Sequence, residues 1–318
     1  MRSAITTRRP RLVMLRALGL GDFLTAVPAY RALARAFPGH HRILAAPLNL
    51  APLAALCGDA IDEVVDTAPL TAMDPALRAA DVAVNLHGRG PQSHRIILDS
   101  QPRRVIAFHN AEAGGPADGP RWREGEHEVV RWCRMLTESG IAVDPRDLDL
   151  VVSKQPPALR NTVVLHPGAS SESRRWPVER WIELAAELER RGRSVALTGN
   201  PGEFRRCRLI ARNAKLRNGT VLAGRTSLSD LASIVASAEA IVCGDTGIAH
   251  VATAVGTPSV VLFGPMSPVQ WGPPADRPKH RAIWKGKLGD PHAAFVDPGL
   301  ASISVAEVIS EIDALRGL

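Results

Sequence analysis

Ala240-Ile241-Val242-Cys243-Gly244-Asp245-Thr246-Gly247-Ile248-Ala249-His250 is the stretch whose reading decides the fold. The apolar run at 240–242 has the character of a buried strand, and residues 248–255 that of a helix. A strand that turns through Gly244-Asp245-Thr246-Gly247 into a helix leaves backbone N–H groups unpaired at the positive end of the helix dipole, which suits a phosphate. The same residues also make an ordinary turn, with Asp245 or Thr246 as N-cap and glycines that ease the backbone. The neighbouring segments separate these two readings.

Working outward, the second half of the chain repeats the strand–turn–helix unit. Thr162-Val163-Val164-Leu165 reads as a buried strand that enters His166-Pro167-Gly168-Ala169-Ser170 and then Arg174-Arg175-Trp176-Pro177. Pro177 suits the first position of a helix that runs to about residue 191, closed by Gly192. Further strands are expected at 194–198, 220–222 and 259–263, and helices at 204–213 and 228–236. A parallel sheet collects its strand ends at one edge. Gly168, Ala169, Ser170, Gly244, Asp245, Thr246 and Gly247 then offer backbone donors to phosphates. Arg174 or Arg175 offsets a diphosphate's charge through forked hydrogen bonds, and Glu203 accepts from ribose hydroxyls. Each residue also has a plain reading: a solvated arginine pair, a glutamate that favours its helix dipole, and a packed His250. The convergence favours a nucleotide diphosphate.

The first half alternates in the same way. Leu12-Val13-Met14-Leu15 reads as a strand, Gly19-Leu20-Gly21-Asp22 as the turn after it, and 23–37 as one helix ended by Pro38-Gly39. Strands are expected at 43–46, 63–66, 82–86 and 105–108, and the alternation argues for a parallel sheet covered by helices. Gly19-x-Gly21 lacks the third glycine of a dinucleotide fingerprint, since Leu24 stands there. Asp22 reads either as the N-cap of the following helix or as an ionised carboxylate at the mouth of the sheet. Residues 110–125 form an aperiodic loop, a flap beside a site. Residues 128–136 are helical and 148–152 extended. Asp147-Leu148-Asp149 reads as a solvated face rather than a metal site, and residues 153–160 as the interdomain linker.

Composition sets the outer limits. A chain of 318 residues favours two domains. Its net charge of +7 favours an anionic partner, but aromatics at 4% and the lack of a dense basic run argue against nucleic acid. The four cysteines are scattered and form no Cys-x-x-Cys pair, which fits reduced thiols in the cytoplasm and no zinc. No stretch approaches the ~20 apolar residues of a membrane span, so contact with a membrane would be peripheral, at its inner face.

Three stretches taken together resemble glycosyltransferase family 9, the ADP-heptose:lipopolysaccharide heptosyltransferases. They are Leu15-Arg16-Ala17-Leu18-Gly19-Leu20-Gly21-Asp22-Phe23-Leu24 through Pro28-Ala29, then His166-Pro167-Gly168-Ala169-Ser170 with Arg174-Arg175-Trp176-Pro177, and Gly244-Asp245-Thr246-Gly247 through His250 with Gly264-Pro265. The resemblance implies an α/β chain of GT-B fold, two Rossmann-like doubly wound domains facing a cleft. An acceptor domain would span 1–154 and a nucleotide-sugar domain 155–302, with a last helix within 303–318 crossing back onto the first. It implies an inverting, metal-independent transferase with no cofactor. The donor is a nucleotide-diphosphate sugar, ADP-heptose in the family, and the acceptor a glycan, glycolipid or soluble glycoside; the protein would act as a monomer. Asp22 matches the family's base, and Arg174 stands where the family often has a lysine. Glu203 matches the ribose acid, and Asp245, Thr246, Gly247 and His250 the diphosphate and sugar motif. Gly21, His87 and Arg89 lie at plausible acceptor positions. A nucleotide-sugar epimerase on the same scaffold and a non-catalytic nucleotide-sugar binder remain as alternatives.

Overall fold

A computed structural model describes residues 8–116, 118–152, 162–216 and 221–315. The chain divides into two compact units, Met1–Leu148 and Asp149–Leu318. The division falls six residues before the expected boundary at 154. Residues 149 and 150 already belong to the second unit, where the Leu150 N–H donates to the Ala254 carbonyl (2.7 Å) and Arg277 pairs with Asp149 (2.6 Å). Residues 148–152 form no regular strand, and the expected linker at 153–160 lies outside the described residues.

The first unit contains β1 (Arg11–Leu15), α1 (Leu20–Thr25), α2 (Val27–Ala36), β2 (His41–Ala46), α3 (Ala51–Ala54), β3 (Glu63–Asp66), β4 (Val82–Asn85), α4 (Gln92–Asp99), β5 (Arg104–Ile106) and α5 (Glu128–Glu138). Its five strands are all parallel, in the order β3-β2-β1-β4-β5. β1 lies in the middle, buried along its whole length, with Leu12 opposite both Arg42 and Val82. The single helix expected at 23–37 is two. Ala26 leaves helical geometry (φ −98°, ψ 0°), and Pro28, without an N–H, enters as the second residue of α2. The loop after β5 is anchored near its end by Trp122, whose ring stacks edge-on against Phe108 (5.1 Å) under the Arg131 guanidinium (4.2 Å).

The second unit contains β6 (Thr162–His166), α6 (Val178–Arg190), β7 (Ser194–Leu197), α7 (Phe204–Asn213), α8 (Leu228–Ser237), β8 (Ala240–Gly244), α9 (Gly247–Val255), β9 (Ser259–Leu262), α10 (Pro268–Trp271), β10 (His280–Ile283), α11 (Pro298–Ala301) and α12 (Val305–Leu315). Its sheet is also parallel, ordered β10-β9-β8-β6-β7. The strand expected at 220–222 is reduced, within the described residues, to a single bridge from Val221 to Leu197. β10 is a half-exposed edge strand, and Arg281 interrupts the apolar run that would have marked it.

The last helix, α12, packs within the second unit, against α6 and β9. Val305, Val308, Ile309, Ile312 and Leu315 all enter the core that holds Trp176 and Trp181. The Trp176 indole N–H donates to the Ile303 carbonyl (3.1 Å), which fixes the approach to the helix. Its apolar face is consumed within its own unit.

All four cysteines are buried and unpaired. Among the described residues no helix is long and apolar enough to cross a membrane, and no group of three or more His, Cys, Asp or Glu side chains is placed to hold a metal ion. Asp147 is taken by Arg31 and Arg35, each at 2.8 Å.

Candidate active site

In an open parallel sheet, ligands settle outside the carboxyl ends of the strands, where the strand order reverses. In the first unit that point lies between β1 and β4. The segment after β1 carries Gly21 and Asp22, and the segment after β4 carries His87 and Arg89.

Asp22 is the third residue of α1. Its Oδ2 accepts a long hydrogen bond from the Gly19 N–H (3.3 Å), and its side chain remains 29% exposed. Burial pushes its pKa above the ordinary carboxylate value; Arg16 opposes the shift and Glu128 adds to it. The carboxylate is thus accessible, lightly bonded and unusually basic. Asp22 is not itself the N-cap: Gly19 holds that place, and Asp22, at the third helical position, bonds back to the Gly19 N–H while its carboxylate stays partly exposed. His87 is half-buried, and its Nδ1 finds no hydrogen-bond partner among the described residues. Burial, with Arg16 nearby, holds the imidazole near pKa 4, so it is neutral at physiological pH. Arg89 is tied elsewhere, to Glu124 (2.8 Å) on the exposed surface.

His94 and Asn85 escaped the sequence reading. Asn85 donates to Ser93 Oγ and to His94 Nδ1, both at 3.0 Å, while its Oδ1 accepts from the His87 N–H at 3.0 Å. His94 completes the chain through Nε2 to the Phe108 carbonyl (2.7 Å). This buried relay sets the course of the backbone at His87.

In the second unit the strand order reverses between β6 and β8, and the two glycine turns leave from those strands. Gly168 lies directly over Glu203: a Cβ there would meet Glu203 Oε1 at 1.9 Å. Glu203 is fixed by a reciprocal cap with Asn200, whose N–H donates to Oε2 (2.8 Å). Gly168→Ala must therefore swing the Glu203 carboxylate aside and break that exposed cap, a cost of about 0.5–2 kcal/mol. A lowered melting temperature with weaker ADP binding by calorimetry is expected; wild-type affinity would show that Glu203 is not part of the nucleotide site.

Arg174 reaches from the β6 loop to the β8 turn. Its Nη2 meets Asp245 Oδ2 at 2.6 Å and also donates to the Asp245 carbonyl, while Nη1 lies 3.5 Å from Ser170 Oγ. Gly244 permits this approach, since a Cβ there would stand 3.1 Å from the Arg174 carbonyl. Arg175 is occupied differently, with Glu172 (2.9 Å) and the Ala169 carbonyl (3.0 Å). Of the two arginines, Arg174 is thus the one at the turn. Asp245 is buried, and desolvation raises its pKa more than Arg174 lowers it. One expectation needs correction: the Asp245 N–H is spent on the Leu262 carbonyl (3.2 Å) and is not a free donor. The first-turn N–H groups of α9 begin at Gly247, and the Thr246 side chain does not cap them. His250, one turn into α9, stands edge-on to Trp271 of α10 at 6.0 Å, a neighbour with no signal in its own short segment. The loop from Gly168 to Arg174 is further held by residues far along the chain: Ser171 Oγ donates to the Pro291 carbonyl at 2.5 Å, and the Ser173 N–H to that of Ala293 at 3.2 Å.

Two doubly wound parallel units, one with a basic carboxylate at its switch point and the other with a cation and an uncapped helix N-terminus at its own, define an α/β protein of the GT-B class. The chain belongs to glycosyltransferase family 9 (heptosyltransferase), whose family model matches residues 125–288, just over half of it. Lipopolysaccharide heptosyltransferase 2 of Escherichia coli is 33% identical over 162 residues, covering 47% of this chain and 45% of that protein. Lipooligosaccharide heptosyltransferase 2 of Haemophilus influenzae is 31% identical over 163 residues, 46% of each chain. The chain thus spans less than half the length of these curated relatives. Among solved structures, the E. coli ADP-heptose lipopolysaccharide heptosyltransferase II superposes with a TM-score of 0.77 at 22% identity, over 96% of this chain and 98% of that one. A family 9 glycosyltransferase from Veillonella parvula gives 0.78 at 18% identity, over 96% and 97%. At these identities the superpositions speak for the fold.

Proposed function

We propose that the protein is an inverting glycosyltransferase that moves a heptose from ADP-heptose to a hydroxyl of a lipopolysaccharide-type glycolipid, with Asp22 as general base. The observation that carries the reading is the Arg174–Asp245 pair set beside the uncapped N-terminus of α9, at the strand switch of the second unit. Family membership and the naming of the curated relatives as lipopolysaccharide and lipooligosaccharide heptosyltransferases support the choice of sugar and acceptor.

In this reading the diphosphate lies against the first turn of α9 and the loop at Gly168, Ala169 and Ser170, with ribose hydroxyls on Glu203. The acceptor hydroxyl approaches the anomeric carbon from the face opposite the leaving group and gives its proton to Asp22 as the new bond forms, so the anomeric configuration inverts. Charge gathers on the departing ADP, and Arg174 with the helix N-terminus stabilises it. His87, neutral and with a free ring nitrogen, orients the acceptor from the end of β4. The protein takes no cofactor or metal, works as a monomer in the cytoplasm and meets its glycolipid at the inner membrane surface.

The test is a product assay with ADP-heptose in the presence of a chelator. ADP release that requires a heptose-deficient glycolipid acceptor, and a product of inverted anomeric configuration by NMR, support the reading. Conversion of the donor without acceptor marks an epimerase. Tight ADP binding without turnover of any donor marks a binding protein.

A further inference from the structure

Arg16 follows β1 in the first unit and is fully buried. Its Nε donates to the Asp22 carbonyl (2.5 Å), and its Nη1 to the Leu86 carbonyl. The two hydrogens of Nη2 are directed to Thr25 Oγ1 (3.0 Å) and Glu128 Oε1 (3.2 Å). The guanidinium also lies 4.7 Å from the centroid of the Trp132 ring. Glu128 is 5% exposed and held on both oxygens. Trp132 Nε1 donates to Oε1 (2.8 Å), and Arg131 donates to Oε2. A buried cation of this kind needs a counter-charge. Two carboxylates are near, and Arg16 is committed to only one. Asp22 Oδ1 stands 3.7 Å from Nη2, too far for a hydrogen bond, and no Nη2 hydrogen remains for it.

We propose that Glu128 is a positioning residue for the base: it holds the Arg16 guanidinium off Asp22 and leaves the Asp22 carboxylate free to receive the acceptor's proton. This rests on the reading of Asp22 as general base. The charged and titratable groups around the pair are few. Arg16 and Glu128 face Asp22, and Arg131 closes the far side of Glu128 on α5. His87 after β4 and Tyr30 on α2 both sense Arg16; burial lowers the imidazole to about 4 and raises the phenol, so both are neutral across the working range. Among the charged side chains of the described residues, Arg16 and Glu128 then set the field at Asp22, with opposite signs. Neutralising Glu128 leaves Arg16 with Asp22 as its nearest carboxylate. The guanidinium turns to it, and the base becomes weaker and obstructed.

The experiment compares pH profiles of kcat for wild type, Glu128→Gln and Glu128→Asp. In Glu128→Gln the acid limb moves to lower pH by about one unit and the plateau falls about tenfold, in line with Brønsted behaviour. The KM for ADP-heptose and the calorimetric ADP affinity stay unchanged. Glu128→Asp keeps the charge and holds the limb near the wild-type position. A folded Glu128→Gln whose limb does not move overturns the proposal, as does an equal shift in both variants. Should Glu128→Gln lose its cooperative melt, Thr25→Val serves: it frees one Nη2 hydrogen for Asp22 and must also move the limb down, and an unmoved limb there overturns the proposal. Retained turnover in Asp22→Asn would instead remove the base reading itself. An inactive Asp22→Asn with an unmoved limb in the other variants removes only the role of Glu128.

Discussion

Asp22→Asn lowers kcat by about 10²–10⁴-fold, the usual range for a lost general base, and leaves ADP affinity unchanged. Asparagine has the same shape and retains an oxygen for the Gly19 N–H, so α1 keeps its start. What it lacks is the capacity to take a proton. The residues proposed to hold the nucleotide all belong to the second unit, whereas Asp22 belongs to the first. The pH profile supplies a second readout. The raised pKa of Asp22 means that wild-type kcat falls as pH drops through a value above the ordinary carboxylate range, whereas residual turnover in the variant lacks that limb. Steady-state kinetics with ADP-heptose, beside calorimetry with ADP, checks both parts. A kcat within tenfold of wild type would remove Asp22 from the chemistry.

Arg174→Met destabilises the protein by about 3 kcal/mol, the low end for breaking a buried ion pair, because the arginine side chain is a quarter exposed. Methionine fills much of the volume but leaves Asp245 buried without its cation. The sign of the pH dependence follows from the folded pKa of Asp245, which lies above the unfolded value even with Arg174 present and rises further without it. The folded state then binds the proton more tightly than the unfolded one. The deficit relative to wild type is full above the variant's folded pKa and shrinks as pH falls from there toward the folded pKa of the wild type. Melting temperatures of the variant and wild type should therefore converge as pH falls. The variant should also bind ADP at least tenfold more weakly if Arg174 makes the charge-assisted contact to the diphosphate proposed above. An ADP affinity equal to wild type would confine Arg174 to folding.

The parts of this molecule legible in its sequence are those carried by short segments. Apolar runs such as Val163-Val164-Leu165 and Ile241-Val242 mark buried parallel strands because both faces are covered, and glycine turns directly after them mark the switch point. Contacts between distant segments had no such mark. Arg16 reads as a charged boundary to a strand, and its partner Glu128 is 112 positions away. Arg174 and Asp245 are 71 apart, and only their pairing tells Arg174 from Arg175. The break at Ala26 was hidden because the apolar spacing of one helix continues smoothly into the next. The range of α12 was plain in the sequence, but a helix's apolar face does not say which core it covers, and the core around Trp176 and Trp181 takes it.

That location has a bearing on how the protein is made. The first unit closes its own sheet and core by Leu148, so it can fold while the rest is still being translated. The second unit's core is incomplete until the segment ending at Leu315 has been made, because Val305, Val308, Ile309, Ile312 and Leu315 all belong to it. Nascent chains halted before that point would present the glycine turns on an unfinished scaffold, a natural target for chaperones and proteases.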